Sequence, residues 1–153
     1  PPIRVTDRES IWKQSRHTDQ ARSTVSRFLD ILCDGERMNK REKGQAGEVR
    51  AAVCLEEKGY RILERNYRCG HGEVDLIASK DGWIVFVEVK YRKTDSMGLP
   101  QEAVNRRKQQ RISRAALFYL TEHSLAENRI RFDVIAILGE KITHLEDAFE
   151  YQG

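Results

Sequence analysis

The chain has 153 residues, 33% of them charged, and a formal net charge of only +3, which suits a single domain with a hydrophobic core. No apolar run approaches the length of a membrane span and no signal peptide is visible, so we expect no membrane partner. The three cysteines, Cys33, Cys54 and Cys69, are an odd number without C-x-x-C spacing, which favours free thiols in a reducing cytoplasm over disulfides or a zinc site.

Residues 1–37 are predicted to be an N-terminal extension, separate from the domain that follows. Apolar residues such as Trp12, Phe28 and Leu29 favour one or two helices there. The Asp-Gly pair that follows indicates the end of the last helix. The sequence leaves the role of this extension open. We expect residues 38–153 to form the folded domain.

The first helix of that domain is predicted over residues 38–58, because Gly59 suits the left-handed position after a helix end. Glu48 has alanines at i+3 and i+4 and a leucine at i+7, so its carboxylate points along a partly apolar stripe. A carboxylate that faces a core needs a metal or a lysine beside it. The alternative is that Glu48 lies at the edge of the stripe as an ordinary surface glutamate.

A strand over residues 61–67 is predicted next, followed by a hairpin. Residues 73–79 and 83–90 are rich in β-branched and aromatic side chains, and Asp81-Gly82 stands between them. An Asp-Gly pair in that position indicates a two-residue turn of the primed type. The second run is apolar on both faces, which is typical of a strand buried inside a layered domain.

The two-residue turn predicts the register of the hairpin. Asp75 should lie directly opposite Glu88, and Glu73 opposite Lys90. Glu88 and Lys90 share one face because side chains alternate along a strand, and Asp75 shares it because it is opposed to Glu88. Two carboxylates and an ammonium should therefore converge among apolar neighbours. A slip of one residue would move Asp75 to the other face.

Adjacent carboxylates that are partly buried destabilise a sheet unless a cation neutralises them. Mg²⁺ is one natural partner, because it takes oxygen ligands and usually only one or two protein carboxylates. The neighbouring lysine could then hold a water or meet charge that develops on a phosphate. An Asp/Glu/Lys ion-pair cluster on an ordinary strand face explains the same spacing.

Basic residues are concentrated just after this hairpin. Acidic residues are few between positions 90 and 114, and the basic ones are Lys90, Arg92, Lys93, Arg106, Arg107, Lys108, Arg111 and Arg114. A basic stretch beside a carboxylate site suits a polyanionic substrate. A solvated helix face is the other interpretation.

A polar loop over residues 94–98 and a helix over residues 100–122 are predicted next, because a proline at position 100 suits the first turn of a helix. Lys108 and Arg111 lie on the apolar line of this helix, so we expect them to face the site. Arg106 should point away from it.

The end of the chain is predicted to form strands over residues 130–138 and 141–145 and a short helical turn over residues 146–151. The order is therefore helix, three strands, helix, two strands. This order predicts an α/β fold in which helices cover a mixed sheet.

Two sets of motifs carry a family resemblance. Asp75, twelve intervening residues and Glu88-x-Lys90 resemble the PD-(D/E)XK nuclease signature of the restriction-endonuclease-like superfamily, with Val74 in place of the motif's proline. From about Met38 to about Phe149 the chain also resembles the YraN-type family, small bacterial proteins predicted to be endonucleases and similar to archaeal Holliday-junction resolvases. The blocks that carry this closer resemblance are Gly47-Glu48, Gly59-Tyr60, Asn66-Tyr67 and residues 72–77, 87–90 and 131–134.

The resemblance implies a restriction-endonuclease-like fold and a metal-dependent endonuclease. Asp75 and Glu88 would hold Mg²⁺, or Mn²⁺ as a substitute, and the carbonyl of Val89 would complete the shell. Glu48 matches a glutamate on the first helix that approaches the catalytic site, directly or through water. Lys90 would orient or help deprotonate the attacking water. The implied catalytic set is Glu48, Asp75, Glu88 and Lys90.

The implied partner is nucleic acid, with DNA favoured and branched or junction DNA as candidates. Arg92, Lys93, Lys108 and Arg111 are the expected nucleic-acid-binding residues. The sequence leaves open DNA or RNA, endonuclease or exonuclease, and the oligomeric state, with which a homodimer is compatible. A non-catalytic nucleic-acid-binding module on a nuclease fold is the main alternative. A protein-interaction module would leave the carboxylate pair unexplained.

Overall fold

The computed structural model describes residues 39–92 and 104–153. The predicted extension, residues 1–37, lies outside the described residues, as do Lys93 and the predicted loop over residues 94–98, so the domain boundary at residue 38 stays a prediction. The described elements are α1 (Lys40–Glu57), β1 (Arg61–Cys69), β2 (Gly72–Lys80), β3 (Trp83–Tyr91), α2 (Arg106–Glu122), β4 (Arg129–Leu138) and β5 (Lys141–Leu145). In these residues neither helix has the length and apolar character that crossing a membrane requires.

The five strands form one mixed sheet in the order β1-β2-β3-β4-β5. β3 and β4 are parallel, and the other neighbouring pairs are antiparallel. A parallel pair needs a crossover connection, and α2 lies within the segment that links β3 to β4. The predicted α/β class, element order and mixed sheet are confirmed.

The sheet separates two hydrophobic cores, one under each helix. On the α1 face, Leu55 packs in one cluster with Leu76 and Val87. On the α2 face, Ile112 packs in the other cluster with Phe86. Alternate residues of β3 thus enter opposite cores, which explains its unbroken apolar run. The same alternation places Glu88, two residues after Phe86, on the α2 face.

The two helices differ in how well the sequence predicts their ends. Gly59 has φ +82° and follows α1, as predicted for a left-handed residue at a helix end. The second helix was predicted to begin at position 100, which lies outside the described residues. The described helix α2 begins at Arg106. Asn105 is extended, at φ −67° and ψ 160°, and its side chain accepts a 2.9 Å hydrogen bond from the backbone amide of Lys108. This N-cap sets the start of the helix.

The hairpin between β2 and β3 has the predicted turn. Asp81 and Gly82 have φ values of 50° and 82°, as a type I′ turn requires, and the register holds as far as the pair Leu76 and Val87. Within the described strands the β2–β3 pairing ends at that pair. The predictions that Asp75 pairs with Glu88 and Glu73 with Lys90, both beyond that pair, are therefore wrong.

A distortion in β1 and β2 lies at the same place as this early end. Asn66 has φ +52° and stands between the β1–β2 pairs Arg65–Leu76 and Tyr67–Val74. Val74 packs in the α2-side core, whereas Leu76 packs in the α1-side core, so the alternation of β2 breaks between them. Asp75 occupies the break, and its strand therefore departs from the line of β3.

The predicted terminal helical turn over residues 146–151 is also wrong. A turn at residues 146–147 is followed by irregular chain. The backbone amide of Ala148 donates a 2.8 Å hydrogen bond to the carbonyl of Phe132. Phe149 stacks on the Phe132 ring with the centroids 5.0 Å apart. These contacts hold the end of the chain along β4, where a helix could not follow.

Candidate active site

Asp75 spans the gap that opens between β2 and β3. Its Oδ2 accepts a 2.8 Å hydrogen bond from the backbone amide of Val89. A side chain thereby takes the place of a backbone ladder bond just where the ladder has ended. The bond holds the Asp75 carboxylate against β3, close enough to Glu88 for the two charges to interact.

Glu88 is a buried carboxylate with one incompletely satisfied oxygen. Its side chain is 3% exposed, and its Oε1 lies 3.0 Å from the Nζ of Lys90. Its Oε2 has no hydrogen-bond partner, although the Nζ of Lys108 lies 3.4 Å away. That distance is an ion-pair distance without hydrogen-bonding geometry, so Oε2 keeps its capacity to accept.

The Asp75 carboxyl is under electrostatic strain as a result. Burial and then the negative charge of Glu88 raise its pKa from 3.8 to about 7. The Val89 amide and the Lys108 ammonium act in the opposite direction, and Glu48 adds a smaller rise. The described residues thus supply too little positive charge to keep this carboxyl ionised at its ordinary pKa.

Glu48 approaches the pair without joining it. Its Oε2 accepts a 2.7 Å hydrogen bond from Nδ2 of Asn66, and its charge contributes to the raised pKa of Asp75. In the part of the chain that the structure describes, no group of three His, Cys, Asp or Glu side chains is placed to hold a metal ion. Glu48 therefore does not form a three-carboxylate group with Asp75 and Glu88 in this structure.

Two lysines approach the carboxylates from different elements. Lys90, on β3, has 35% of its side chain exposed, whereas Lys108, in the first turn of α2, has 19% exposed. Burial acts to lower the pKa of Lys108, but the charges of Glu88, Asp75 and Glu73 outweigh it and raise that pKa. As predicted, Lys108 faces the site, but it lies among the carboxylates themselves.

These residues fit a divalent cation with oxygen ligands. Asp75 and Glu88 supply two neighbouring carboxylates. Oε2 of Glu88 accepts no hydrogen bond, and a carboxylate oxygen is the type of ligand that Mg²⁺ prefers. A divalent charge would also remove the repulsion that raises the pKa of Asp75. Val89 lies beside them through its amide bond to Asp75.

An exposed basic line runs along α2 away from these carboxylates. Arg107, Arg111 and Arg114 are spaced four and three residues apart, which places them on one side of the helix, and all three are exposed. Of the described carboxylates, none lies within ion-pair distance of these guanidinium groups. We call this the arginine line; Phe118 continues it, with its ring 5.5 Å from that of His71.

The other residues that were predicted to contact nucleic acid lie in different surroundings. Arg111 lies beside the β1–β2 turn, where its carbonyl approaches Gly72, so it borders the site without entering it. Arg92 is half-buried, and its backbone amide donates a 2.8 Å hydrogen bond to the carbonyl of Ile137. Lys93 lies outside the described residues. Arg106 is exposed and is turned about 140° around the helix from Arg111, as expected for a residue that points away.

A second polar cluster, which the sequence analysis did not assign, is buried on the α1 face. Asp133 is fully buried and accepts hydrogen bonds from Arg131 Nε at 2.8 Å and from the backbone amide of Asp147 at 3.0 Å. His144 Nε2 lies 2.7 Å from its Oδ2. The signal in the sequence was Arg131 and Asp133 at alternate positions of a strand that continues as an apolar run.

This second cluster is satisfied internally. Arg131 also donates a 2.6 Å hydrogen bond to the hydroxyl of Tyr60, which donates in turn to Glu146 at 2.9 Å. Every charge of the cluster therefore has a partner, and it joins β4 to β5 and to the turn after it. Its position on the face opposite Glu88 and its full pairing indicate a structural role.

At Gly47 the ring of Tyr91, from the end of β3, lies directly against α1. A Cβ atom at this position would collide with the ring of Tyr91, the residue after Lys90. Because Gly47 has no side chain, the Tyr91 ring can lie against the helix at this position, which directly precedes Glu48. The absence of a side chain at position 47 thus leaves room for the Tyr91 ring beside the helix that carries Glu48.

Comparisons with known proteins place the chain in one family. The family model described as "Uncharacterised protein family UPF0102" matches residues 47–137. A UPF0102 protein of Lachnoclostridium phytofermentans is 46% identical over 117 residues, covering 76% of this chain and 99% of the relative. One from Syntrophus aciditrophicus is 53% identical over 111 residues, covering 70% and 87%. The family model covers more than half of the chain, and these relatives align over most of their length. The chain therefore belongs to the UPF0102 family, which is the YraN-type family that its motifs resemble.

Proposed function

We propose that the protein is a metal-dependent nuclease that hydrolyses phosphodiester bonds, acting as an endonuclease on DNA. The observation that carries the proposal is the buried Oε2 of Glu88, which has no hydrogen-bond partner beside the Asp75 carboxylate. Buried acceptors are rarely left unsatisfied, and a missing ion is one of the accepted explanations.

Asp75 and Glu88 are the residues that would hold Mg²⁺ or Mn²⁺, and the carbonyl of Val89 is the expected third ligand. The bound ion would supply positive charge that polarises the phosphodiester and makes a nearby water more acidic. Glu48, fixed by its hydrogen bond to Asn66, would orient a water at the edge of this set.

Lys90 is the residue best placed to handle the attacking water. Its Nζ is held 3.0 Å from Oε1 of Glu88, while a third of the side chain stays open to solvent. The ammonium can therefore donate to a water or to a phosphate oxygen that arrives from solvent without leaving its carboxylate partner. A donor held in this way stabilises charge that develops during the reaction.

The arginine line would position the substrate. Exposed guanidinium groups at a spacing of one helical turn, with no ion-pair partner among the described residues, suit consecutive phosphates of a nucleic-acid backbone. Such contacts give affinity without reading sequence, which matches a nuclease that recognises the shape of its substrate. Similarity to the restriction-endonuclease-like superfamily and to the junction resolvases, preference for branched DNA and a cytoplasmic location all belong to this proposal.

A cleavage assay tests the proposal. Linear duplex, flapped duplex, four-way-junction DNA and RNA are incubated with the wild-type protein in Mg²⁺, in Mn²⁺ or in EDTA. Metal-dependent cuts within at least one DNA are expected, and Asp75→Asn should abolish them. Asp81→Asn is the matched control, because it makes the same chemical change in an exposed I′ turn that accepts asparagine. Tight DNA binding without any cleavage would instead favour the non-catalytic binding module.

A further inference from the structure

Lys108 lies between carboxylates of two different strands. Its Nζ donates a 3.3 Å hydrogen bond to Oε1 of Glu73 on β2 and lies 3.4 Å from Oε2 of Glu88 on β3. The contact with Glu88 lacks hydrogen-bonding geometry, since that oxygen has no hydrogen-bond partner. The same ammonium is therefore bonded to one carboxylate and only adjacent to the other.

We propose that Lys108 is a built-in counter-cation, which partly offsets the charge of the Asp75–Glu88 pair in the metal-free protein and withdraws onto Glu73 when a divalent metal binds. This inference rests on the proposed function, because it takes Asp75 and Glu88 as the metal-binding pair. It gives Lys108 and Glu73 the role of positioning residues that set metal affinity, a role separate from contact with the substrate.

The withdrawal needs only a side-chain movement. The helix that carries Lys108 is fixed by its N-cap, where the Lys108 amide bonds Asn105 Oδ1 at 2.9 Å. It is also fixed by close packing, because Gly72 leaves room for the carbonyl of Arg111 against β2. The long lysine side chain can turn away from Glu88 about its existing bond to Glu73. Because the hydrogen bond to Glu73 is already formed, Lys108 needs no new partner for this movement.

Lys90 cannot take the same role. It contacts the other oxygen of Glu88, at 3.0 Å, and within the described residues it is not within ion-pair distance of any second carboxylate. If it left Glu88 it would have to be solvated alone. Lys108 is also the more buried of the two lysines, at 19% against 35% exposed, so its charge is screened less by water.

Glu73 has the properties of the receiving partner. It is 39% exposed and also lies 3.7 Å from Nε of Arg68, whose side chain is 75% exposed. Its carboxylate can therefore exchange Arg68 for solvent while it accepts Lys108 more fully. Glu88, at 3% exposed, can make no such exchange with solvent, so a metal is the partner that can replace Lys108 there.

The test is a double-mutant cycle read out by Mn²⁺ binding in titration calorimetry at one fixed pH. Lys108→Met should tighten Mn²⁺ binding, because the competing ammonium is gone. Glu73→Gln should weaken binding in the wild-type background, because Lys108 then has only Glu88 as a partner. In the Lys108→Met background Glu73→Gln should have little effect, giving a coupling of a few-fold to about a hundredfold. Arg106→Met, an exposed charge of the same helix, is the control and should change nothing.

The outcomes are separable from failure of the nuclease proposal. Additive effects of the two substitutions, as simple long-range electrostatics predicts, would overturn the role of Lys108 while leaving the metal site intact. Absence of Mn²⁺ binding in the wild-type protein would overturn both. Without metal, Lys108→Met should also lower the melting temperature more than Arg106→Met does, and an equal effect would contradict the counter-cation role. If Lys108→Met does not fold without metal, Lys108→Gln completes the cycle.

Discussion

The backbone amide of Val89 donates a 2.8 Å hydrogen bond to Oδ2 of Asp75, one position beyond the last backbone pair between their strands. The side chain of Asp75 thus closes a gap that the backbone leaves open. The consequence is a carboxylate held against buried Glu88, in a place where neither can be fully solvated. This relationship connects the irregular sheet to the chemistry that we propose.

The metal-free protein should lose stability as the pH rises from about 4 to about 7. Burial and Glu88 raise the pKa of Asp75 from 3.8 to about 7, so the folded state binds this proton more tightly than the unfolded state does. Protonation therefore favours folding, and deprotonation across this window costs up to about 1.4 kcal/mol per pH unit. Urea denaturation at a series of pH values in EDTA measures the slope.

Asp75→Asn should remove most of that slope, because the titrating group is gone. Asp81→Asn, in the exposed turn, should keep it. A wild-type profile that is flat from pH 4 to 7, or a slope that survives in Asp75→Asn, would show that Asp75 is not the group that titrates.

Gly72→Ala should destabilise the protein by about 1–3 kcal/mol, the usual cost of overpacking. A Cβ at Gly72 would collide with the backbone carbonyl of Arg111, which cannot rotate away as a side chain could, so α2 would have to shift. Lys108 would move with the helix. Gly70→Ala is the matched control, because a Cβ there meets nothing within 4 Å. Equal denaturation midpoints for the two variants would show that α2 does not pack as described.

Asp133→Asn should cost about 3–5 kcal/mol, the range for removing one partner of a buried ion pair. Burial acts to raise the pKa of Asp133, but hydrogen bonds from His144 and Arg131 outweigh it and lower that pKa. Its carboxylate therefore stabilises the fold above its ordinary pKa, and this contribution is lost as the pH falls through the lowered folded value.

Chemical denaturation at pH 7 measures the cost of Asp133→Asn. Glu127→Gln, in the exposed loop after α2, is the control and should lie within about 0.5 kcal/mol of the wild type. A similarly small effect of Asp133→Asn would mean that the second cluster is not a structural one.

The sequence was sufficient for features that depend on nearby residues. The Asp81-Gly82 turn, the register up to Leu76 and Val87 and the end of α1 just before Gly59 all follow from local chemistry. The proximity of Asp75 to Glu88 also follows from that register, although the predicted backbone pair does not form.

The rest depended on contacts between distant segments. The β2–β3 pairing ends beside Asp75, opposite the left-handed residue Asn66 on β1, which no pattern within the hairpin reveals. The helical pattern put Lys108 and Arg111 on the same side of α2. The packing of α2 on Gly72 places Lys108 among the carboxylates and Arg111 beside the β1–β2 turn. The cluster around Asp133 joins residues far apart in the chain.

DNA affinity should fall linearly with salt concentration on logarithmic axes, because phosphate contacts release counterions. Arg111→Ala should flatten the slope by about one unit, since this guanidinium is exposed on the arginine line. Arg106→Ala, turned away on the same helix, should change it less. Fluorescence anisotropy with a non-cleaved substrate in EDTA gives both slopes. Equal effects of the two substitutions would mean that the line is an ordinary solvated surface.

The most direct test of the account is the single-turnover rate at which Glu88→Gln and Lys90→Ala cleave a DNA that the wild-type protein cuts in Mg²⁺. Both rates should fall by about a hundredfold or more, as for loss of a group that stabilises the transition state. Glu88→Gln should in addition bind Mn²⁺ more weakly, whereas Lys90→Ala should bind it as the wild type does. Cleavage that persists in Glu88→Gln at the wild-type rate, or in wild type with EDTA, would contradict the proposed site.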